Sequence, residues 1–354
     1  MNVPKSSLTV VAVALNVTAL VTPAFAQAPQ KPVLKEPFAA GGRRDPRVEI
    51  VHRFTGIMPV GVAVTKTGRV FATYPRWADV GAVTLAEIVN GKEVPYPLGG
   101  EFQSGHKTDP GENLVSLQGL RLDSKDRLWV LDTGTLQMKP VTPFTPKLVC
   151  INTTTNAVEK IILLPKEIAP EGTYLNDLRI DEKRGTGEGI AYITDSGETS
   201  GNGIICVDLK TNEAWRRLKN HPSVLAEPGF VGKPETGALY KRPKPGVKQP
   251  VKIGSDGIAI SPSGDYLYYK PLASRRLYRV PTAALVDTNI PDDDVATKVE
   301  NLGVVGVTDG MEEDTRGRIY LTDWERRAIT RRETTGKMTT VVQDDRLLWL
   351  DTLD

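Results

Sequence analysis

Four polar residues stand at the same place in a pattern that recurs along the chain, each directly before a run of alternating apolar residues. They are Gln118, Asn176, Asp256 and Asp309. Three carboxylates end a second apolar run in the same units, with one basic and two aromatic residues nearby in the sequence. They are Asp132, Asp195 and Asp323, with Arg76, Trp77 and Trp324. Carboxylate and amide oxygens are the ligands that Ca²⁺ or Mg²⁺ prefers, and they equally suit an organic cation resting on the face of Trp77 or Trp324.

Local turn chemistry is the alternative explanation for these polar residues. Asp and Asn at strand corners often accept hydrogen bonds from nearby backbone N–H groups. We expect this role for the aspartates that end the second run. Asn176, Asp256 and Asp309 repeat at one position in three units, which turn chemistry explains less well. We therefore take these three as candidate ligand- or metal-binding residues, and add Gln118, Trp77 and Trp324 as candidate ligand-binding residues.

The elements that must position these side chains are repeated units of strands. Five units begin at residues 60, 118, 176, 256 and 309, so they lie 58, 58, 80 and 53 residues apart. In each, an alternating apolar run, a turn and a second run are followed by further strand-like runs, which indicates about four antiparallel strands. Such units are typical of propeller blades. In a propeller the inner strands start at one face of a central channel, so the polar residues before them converge.

The chain divides into a leader and one domain. Lys5, the apolar stretch 8–21 and Ala-Phe-Ala at 24–26 predict a signal peptide over residues 1–26. Residues 27–47 are rich in Pro and Gly and predict an extended leader. Residues 48–354 form the predicted propeller domain, with a proline-rich surface insert at about 222–254. The signal predicts a secreted or periplasmic protein.

Composition excludes several classes of function. Lys and Arg number 45 against 43 Asp and Glu, so no basic excess favours nucleic acid. No long apolar run follows the N-terminus, which predicts no membrane association after signal cleavage. Three histidines disfavour a three-His zinc site, and no Gly-x-Ser-x-Gly motif supports a serine triad.

Several motifs match a known family in the same order. They are Asp-Arg-Leu-Trp-Val-Leu-Asp-Thr-Gly at 126–134, Tyr-Leu-Asn-Asp-Leu-Arg-Ile-Asp at 174–181, Asp-Gly-Ile-Ala at 256–259 and Thr-Asp-Gly-Met at 308–311. The sequence resembles the major royal jelly protein and yellow family from about residue 51 to residue 354. The resemblance implies an all-β fold, a six-bladed β-propeller of four-stranded antiparallel blades. Members of that family include structural and nutritive proteins, salivary binders of biogenic amines and proteins linked to dopachrome conversion.

A more distant resemblance is to the regucalcin and gluconolactonase propellers. That group binds one divalent metal through a Glu, two Asn and an Asp. Asn176 and Asp309 match two of these positions, Asp256 replaces an Asn, and Val60 stands where the Glu is found. The resemblance implies Ca²⁺ or another divalent cation as a possible cofactor. It also implies a catalytic role for Asp309, as general base or metal ligand in lactone hydrolysis.

Three functions follow from these observations. The first is an exported propeller that binds a small molecule, either an organic cation or a divalent metal, in its polar central channel. The second is a metal-dependent hydrolase of the lactonase type that uses Asp309, Asn176 and Asp256. The third is a non-catalytic structural or interaction protein. Metal in the channel favours the hydrolase, a polar channel with aromatic walls favours the binder, and a channel filled by apolar side chains favours the third.

Two further predictions concern the architecture. Cys150 and Cys206 occupy the same position in neighbouring units, where stacked sheets lie about 10 Å apart, so we expect two buried reduced thiols. Asp351 lies 42 residues after Asp309, at the start of a sixth inner strand, and the sequence given continues only to Asp354. We therefore expect five full blades and a sixth blade incomplete at the C-terminus, with either lower stability than the complete family fold or self-association through the gap. The alternative is that residues 33–54 fold back into it.

Overall fold

A computed structural model shows an all-β propeller of small four-stranded antiparallel sheets. It describes residues 8–10, 13–15, 42–77, 81, 83–97, 100, 102–103, 112–137, 139, 141, 146–198 and 201–354. In each blade the strands pair in chain order, and the inner strands of successive blades contact one another around the axis. Tight turns with left-handed glycines join inner to second strands, as at Gly264 and Gly317, where φ is +81° and +75°.

Five blades are present in the described part of the chain. Blade one contains β4 (Gly61–Val64), β5 (Val70–Thr73), β6 (Leu85–Val89) and β7 (Lys92–Pro95). Blade two contains β8 (Leu117–Leu122), β9 (Arg127–Asp132), β10 (Lys147–Asn152) and β11 (Ala157–Leu163). Blade three contains β12 (Leu175–Asp181), β13 (Ile190–Asp195), β14 (Gly203–Asp208) and β15 (Ala214–Arg217). Blade four contains β18 (Ser255–Ile260), β19 (Tyr266–Pro271), β20 (Arg276–Pro281) and β21 (Glu300–Val304). Blade five contains β22 (Met311–Glu313), β23 (Ile319–Asp323), β24 (Ala328–Arg332) and β25 (Met338–Gln343).

Short elements complete the architecture. They are the three-stranded sheet β1 (Leu8–Val10), β2 (Val13–Leu15) and β3 (Val48–Glu49), the hairpin β16 (Tyr240–Lys241) with β17 (Gln249–Pro250), and the helices α1 (Thr282–Val286) and α2 (Asp292–Ala296). The hairpin lies within the proline-rich insert, which packs Gly232 against the ring of Trp324. In the parts of the chain that are described, no helix has the length and apolar character that crossing a membrane requires.

The core lies between neighbouring blades rather than within one sheet. Ala191 and Ile193 of β13 pack in the cluster shared with blade two, which includes Trp129. Ile190 and Tyr192, the alternate residues of the same strand, pack in the cluster shared with blade four. Both faces of β13 are therefore buried, because successive side chains of a strand point to opposite faces and each face packs against a different blade. Trp129 and Tyr192 are therefore sheet-packing residues.

The second residue of most units is a glycine, because a larger side chain there would collide with the neighbouring inner strand. A Cβ at Gly61 would lie 2.9 Å from the carbonyl oxygen of Gln118, and one at Gly119 would lie 2.7 Å from that of Asn176. The corresponding distances at Gly257 and Gly310 are shorter still. Inner strands therefore meet backbone to backbone near the axis, and this brings the residues that precede them to one channel mouth.

The expectation of six four-stranded blades needs correction, because the described residues form five. At the sixth position the segment 351–354 takes the place of an inner strand: Thr352 Oγ1 donates to the carbonyl of Val60 at 2.7 Å, and Val64 N donates to Asp354 Oδ2 at 2.7 Å. Beside it, Asp45 N donates to Asp344 Oδ2 at 2.8 Å. Val48 packs in one cluster with the buried leucines of residues 347–353. Residues 42–50 thus lie against blade five, as the fold-back alternative predicted for part of that segment.

The two cysteines are free and buried, so the prediction of two reduced thiols is confirmed. Cys150 belongs to the cluster between blades two and three, whereas Cys206 belongs to the cluster between blades three and four. The side chains therefore enter different layers of the core. Burial also raises the pKa of the Cys150 thiol to about 12, so it remains protonated at neutral pH.

Candidate functional site

A cavity of about 1470 Å³ opens at the mouth of the central channel. Its floor consists of the polar residues at the starts of the inner strands. These are Gln118, Asn176, Asp256, Asp309 and Asp351. Its walls are largely aromatic and aliphatic, and they include Phe54, Trp77, Tyr174, Ile253, Leu272 and Trp349. The site thus combines an acidic floor with apolar walls, which is the usual composition of a small-molecule pocket.

A chain of hydrogen bonds runs along one side of the cavity and orders the floor. The indole N–H of Trp77 donates to the hydroxyl of Tyr174 at 2.5 Å, and that hydroxyl donates to Gln118 Oε1 at 3.0 Å. Gln118 Nε2 donates to Asn176 Oδ1 at 3.3 Å. Asn176 Nδ2 then donates to Asp256 Oδ2 at 2.8 Å. Each side chain is held by its neighbour, so the floor is preorganised from wall to carboxylate.

The carboxyl groups of Asp256 and Asp309 lie close enough to alter each other's pKa, so the protonation of one depends on the charge of the other. Burial raises the pKa of Asp309 to about 6, although a hydrogen bond from Trp349 Nε1 to its Oδ2, at 2.6 Å, favours the ionised form. Burial, followed by the charge of Asp309, raises the pKa of Asp256 well above its usual range, and the same two causes raise that of Asp351. The floor therefore has more carboxyl groups than it can ionise without a counter-charge.

A buried lysine lies close to the acidic floor. Lys270, in β19, is fully buried, and its Nζ donates to the carbonyls of Ser274 at 2.7 Å and Pro271 at 3.1 Å. Burial lowers the pKa of Lys270 to about 7, against the opposing charges of Asp256 and Asp309. The lysine is therefore only partly charged at neutral pH and compensates the floor incompletely. Sequence reasoning missed it, because it lies inside a strand and has no motif.

Deeper in the channel, a network of ion pairs closes the opposite side. Three residues further along the inner strands, which is about 10 Å, Arg121 contacts Glu312 at 2.5 Å and Asp354 at 3.2 Å. Arg179 contacts Glu312 at 3.3 Å and Asp177 at 3.2 Å. These charges are paired with each other, whereas Asp256, Asp309 and Asp351 at the cavity floor have no ion-pair partner among the described residues.

The structure brings together most of the residues expected at the site. Gln118, Asn176, Asp256 and Asp309 form the floor, and Trp77 lines a wall. Their role as ligand-binding residues remains a prediction.

The expected role of Trp324 is wrong. Its ring is fully buried in a core cluster with Phe230 and stacks on Trp349, with centroids 4.5 Å apart and planes within 6°. Of these two stacked rings, it is Trp349, 39% exposed, that lines the cavity.

Sequence reasoning did not name Asp351, Trp349 or Tyr174 as site residues. A signal existed for Asp351, since it stands in its segment where Asp309 stands in the preceding unit. No comparable signal marks Trp349, because the direction of its side chain depends on the stacked Trp324.

The aspartates at the second-strand ends act as turn caps, as expected. Asp132 accepts hydrogen bonds from the backbone N–H groups of Val115 at 2.7 Å and Gly134 at 3.0 Å, and pairs with Lys147 at 3.0 Å. Backbone N–H groups at 2.9 and 3.1 Å likewise donate to Asp195, and one at 3.1 Å donates to Asp323. These carboxylates are committed to local structure.

The floor does not fit a divalent metal. Asn176 directs its Nδ2 at Asp256, and its Oδ1 accepts from Gln118, so the oxygen it could offer a metal is already engaged. Val60 supplies no oxygen from its side chain where the metal-binding propellers have a Glu. Among the described residues, no group of three or more His, Cys, Asp or Glu side chains is placed to hold a metal ion. We therefore assign no step to a metal.

Comparison with known proteins identifies the family. The family model described as major royal jelly protein matches residues 115–354, which is more than half of the chain. The chain belongs to the major royal jelly protein family. Protein yellow of Drosophila madeirensis is 28% identical over 250 residues, covering 68% of this chain and 42% of that protein. Protein yellow of Drosophila melanogaster is 27% identical over 249 residues, covering 67% and 43%. The chain spans less than half the length of these relatives.

Solved structures with a similar fold include two propellers with low sequence identity. A calcium-binding regucalcin from Agrobacterium tumefaciens is 17% identical, with a TM-score of 0.44 over 80% of this chain and 73% of that one. A gluconolactonase from Xanthomonas campestris is 11% identical, with a TM-score of 0.47 over 81% and 76%. These similarities concern the backbone alone.

Proposed function

We propose that this member of the family is an exported small-molecule-binding propeller whose cavity holds an organic cation with an aromatic or apolar body. The observation that carries the proposal is the position of two buried carboxyl groups, Asp256 and Asp309, and the half-buried Asp351 at the floor of a cavity with aromatic walls. Export rests on the signal predicted over residues 1–26, and it would place the protein in a secreted or periplasmic compartment.

A cationic ligand would relieve the electrostatic cost of this floor. The pKa values of the three floor carboxyl groups are raised, because their ionised forms are desolvated and repel each other. An ammonium group that contacts them would favour ionisation, and charge-assisted hydrogen bonds of this kind are the strong ones. The rings of Trp77 and Trp349 would receive the apolar body of the ligand or the cation itself.

The pH dependence of binding tests the proposal. Because an amine favours the ionised floor, binding releases protons, and affinity should rise as pH passes upward through about 6, the pKa of Asp309. An alkylamine such as phenethylamine stays charged throughout, since amines of this type titrate near pH 10. We expect calorimetric titration to show an affinity for phenethylamine roughly tenfold higher at neutral pH than at about pH 5. An affinity that stays flat or falls over this range, or no binding at all, would contradict the proposal.

The two other functions have less support. A lactonase-type hydrolase that uses Asp309 would need a metal for which the donors are poorly arranged, although two neighbouring carboxyl groups with raised pKa values suit acid–base chemistry. A purely structural role predicts a channel filled by apolar side chains, whereas this channel has a polar floor and a large open mouth.

A further inference from the structure

We propose that the ligand also carries an anionic group, and that Arg53 binds it. The ligand class is then an aromatic zwitterion, with an ammonium group on the acidic floor and a carboxylate at the wall. This inference rests on the proposed function, because it assumes that a cationic group occupies the floor.

Arg53 lies in the segment of residues 50–59 that lines one wall of the cavity. The Nε and Nη2 atoms of its guanidinium are buried and have no hydrogen-bond partner within the described chain. The other basic residues at the mouth are in a different situation. Arg346 is paired with Asp344 at 2.7 Å, Lys241 is paired with Glu198, and Lys139 is exposed to solvent.

The two buried, unpaired nitrogens of the Arg53 guanidinium cost free energy when no acceptor is bound. Buried donors that lose water without gaining an acceptor are destabilising, and the penalty is larger for a charged group. A carboxylate removes the penalty, because its two oxygens match the planar fork of the guanidinium. A simple amine would leave Arg53 unpaired and would also be repelled by it. The cavity therefore matches a ligand with both charges better than one with a positive charge alone.

Related ligands that differ by one carboxylate test this inference. The parent probe is phenethylamine. Phenylalanine adds a carboxylate beside the ammonium group, and 4-(2-aminoethyl)benzoic acid adds one at the far end of the ring. We expect at least one of these acids to bind roughly tenfold or more tightly than phenethylamine at neutral pH, a typical gain for a charge-assisted pair. Calorimetry on the full chain measures all three affinities.

Variants of the arginine identify the group responsible. Arg53→Met should remove the gain from the carboxylate, and Arg53→Lys should retain part of it. Lys139→Met, which removes an exposed cation from the same mouth, should leave the gain intact. Thermal unfolding establishes that each variant is folded. If Arg53→Met does not fold, the comparison of ligands on the unmodified protein and on Arg53→Lys still decides the question.

The outcomes separate the two proposals. If phenethylamine binds and neither acid binds more tightly, the anion site is overturned and the amine site stands. If phenethylamine does not bind, the proposed function itself fails, whether or not an acid binds. If an acid gains affinity but Arg53→Met keeps the whole gain, the anion lies elsewhere and the assignment to Arg53 is overturned.

Discussion

Asp309→Asn will abolish most amine binding while leaving the propeller folded. The substitution removes the carboxylate that faces both Asp256 and the cavity, and the loss of one partner from a buried charge pair predicts a drop in affinity of about 100-fold. Asn keeps the shape of the site, since its amide oxygen can still accept the indole N–H of Trp349 and its amide nitrogen can donate to Asp256. Calorimetry with phenethylamine at neutral pH measures the loss.

The same variant should be at least as stable as the original protein. The pKa of Asp309 is raised from 3.8 to about 6 in the folded state, so the folded protein binds this proton more tightly than the unfolded chain does. Ionisation of Asp309 therefore lowers the free energy of unfolding as pH rises through that interval. Asn cannot ionise, so the variant should avoid this loss, which is roughly 1–3 kcal/mol at neutral pH. Glu213→Gln, at an exposed position between β14 and β15, is the control that should change neither property. Unaltered binding by Asp309→Asn would refute the role given to the floor.

Gly310→Ala should destabilise the fold more than any other small substitution near the axis. A Cβ at this position would collide with the carbonyl oxygen of Asp351 and lie 2.9 Å from the Cα of Thr352, both of which are backbone atoms. Backbone cannot move aside as a flexible side chain does, so we expect a loss of about 2–3 kcal/mol in the free energy of unfolding. Urea unfolding followed by tryptophan fluorescence measures it.

Gly56→Ala is the matched control for this prediction. No atom lies within 4 Å of a Cβ built at Gly56, and its φ is not in the left-handed region. Its effect on the free energy of unfolding should be within about 0.5 kcal/mol. If Gly310→Ala is as stable as Gly56→Ala, the segment 351–354 does not pack against blade five as an inner strand.

The blades and the acidic floor could be predicted from sequence because both follow from repetition. Alternating apolar residues indicate strands that are buried on one or both faces, and units of equal form imply equal placement around an axis. Once Asn176, Asp256 and Asp309 occupied equivalent positions, the topology required them to meet. The inner strands also approach each other closely at equivalent positions of different blades, as at Gly119 and Gly310.

The remaining features depend on contacts that have no period. Trp349 lines the cavity and Trp324 does not, because the ring of Trp324 stacks behind that of Trp349. Lys270 lies near the end of its strand and is fully buried close to the floor. The residues beside it in the sequence do not indicate that it is buried there. Arg53 precedes the first unit, in a segment whose path over the cavity is set by packing on blade one, where Phe54 contacts the ring of Tyr74.

A crystal structure of the protein with 4-bromophenethylamine tests the central claim most directly. The ammonium nitrogen should lie within hydrogen-bond distance, about 3 Å, of the carboxyl groups of Asp309 or Asp256. The ring should pack against Trp77 or Trp349, and the anomalous signal of the bromine should lie toward the mouth of the cavity. A bromine signal on the floor with the ammonium group in solvent, or no bromine in the cavity at a concentration that saturates binding in solution, would contradict the account.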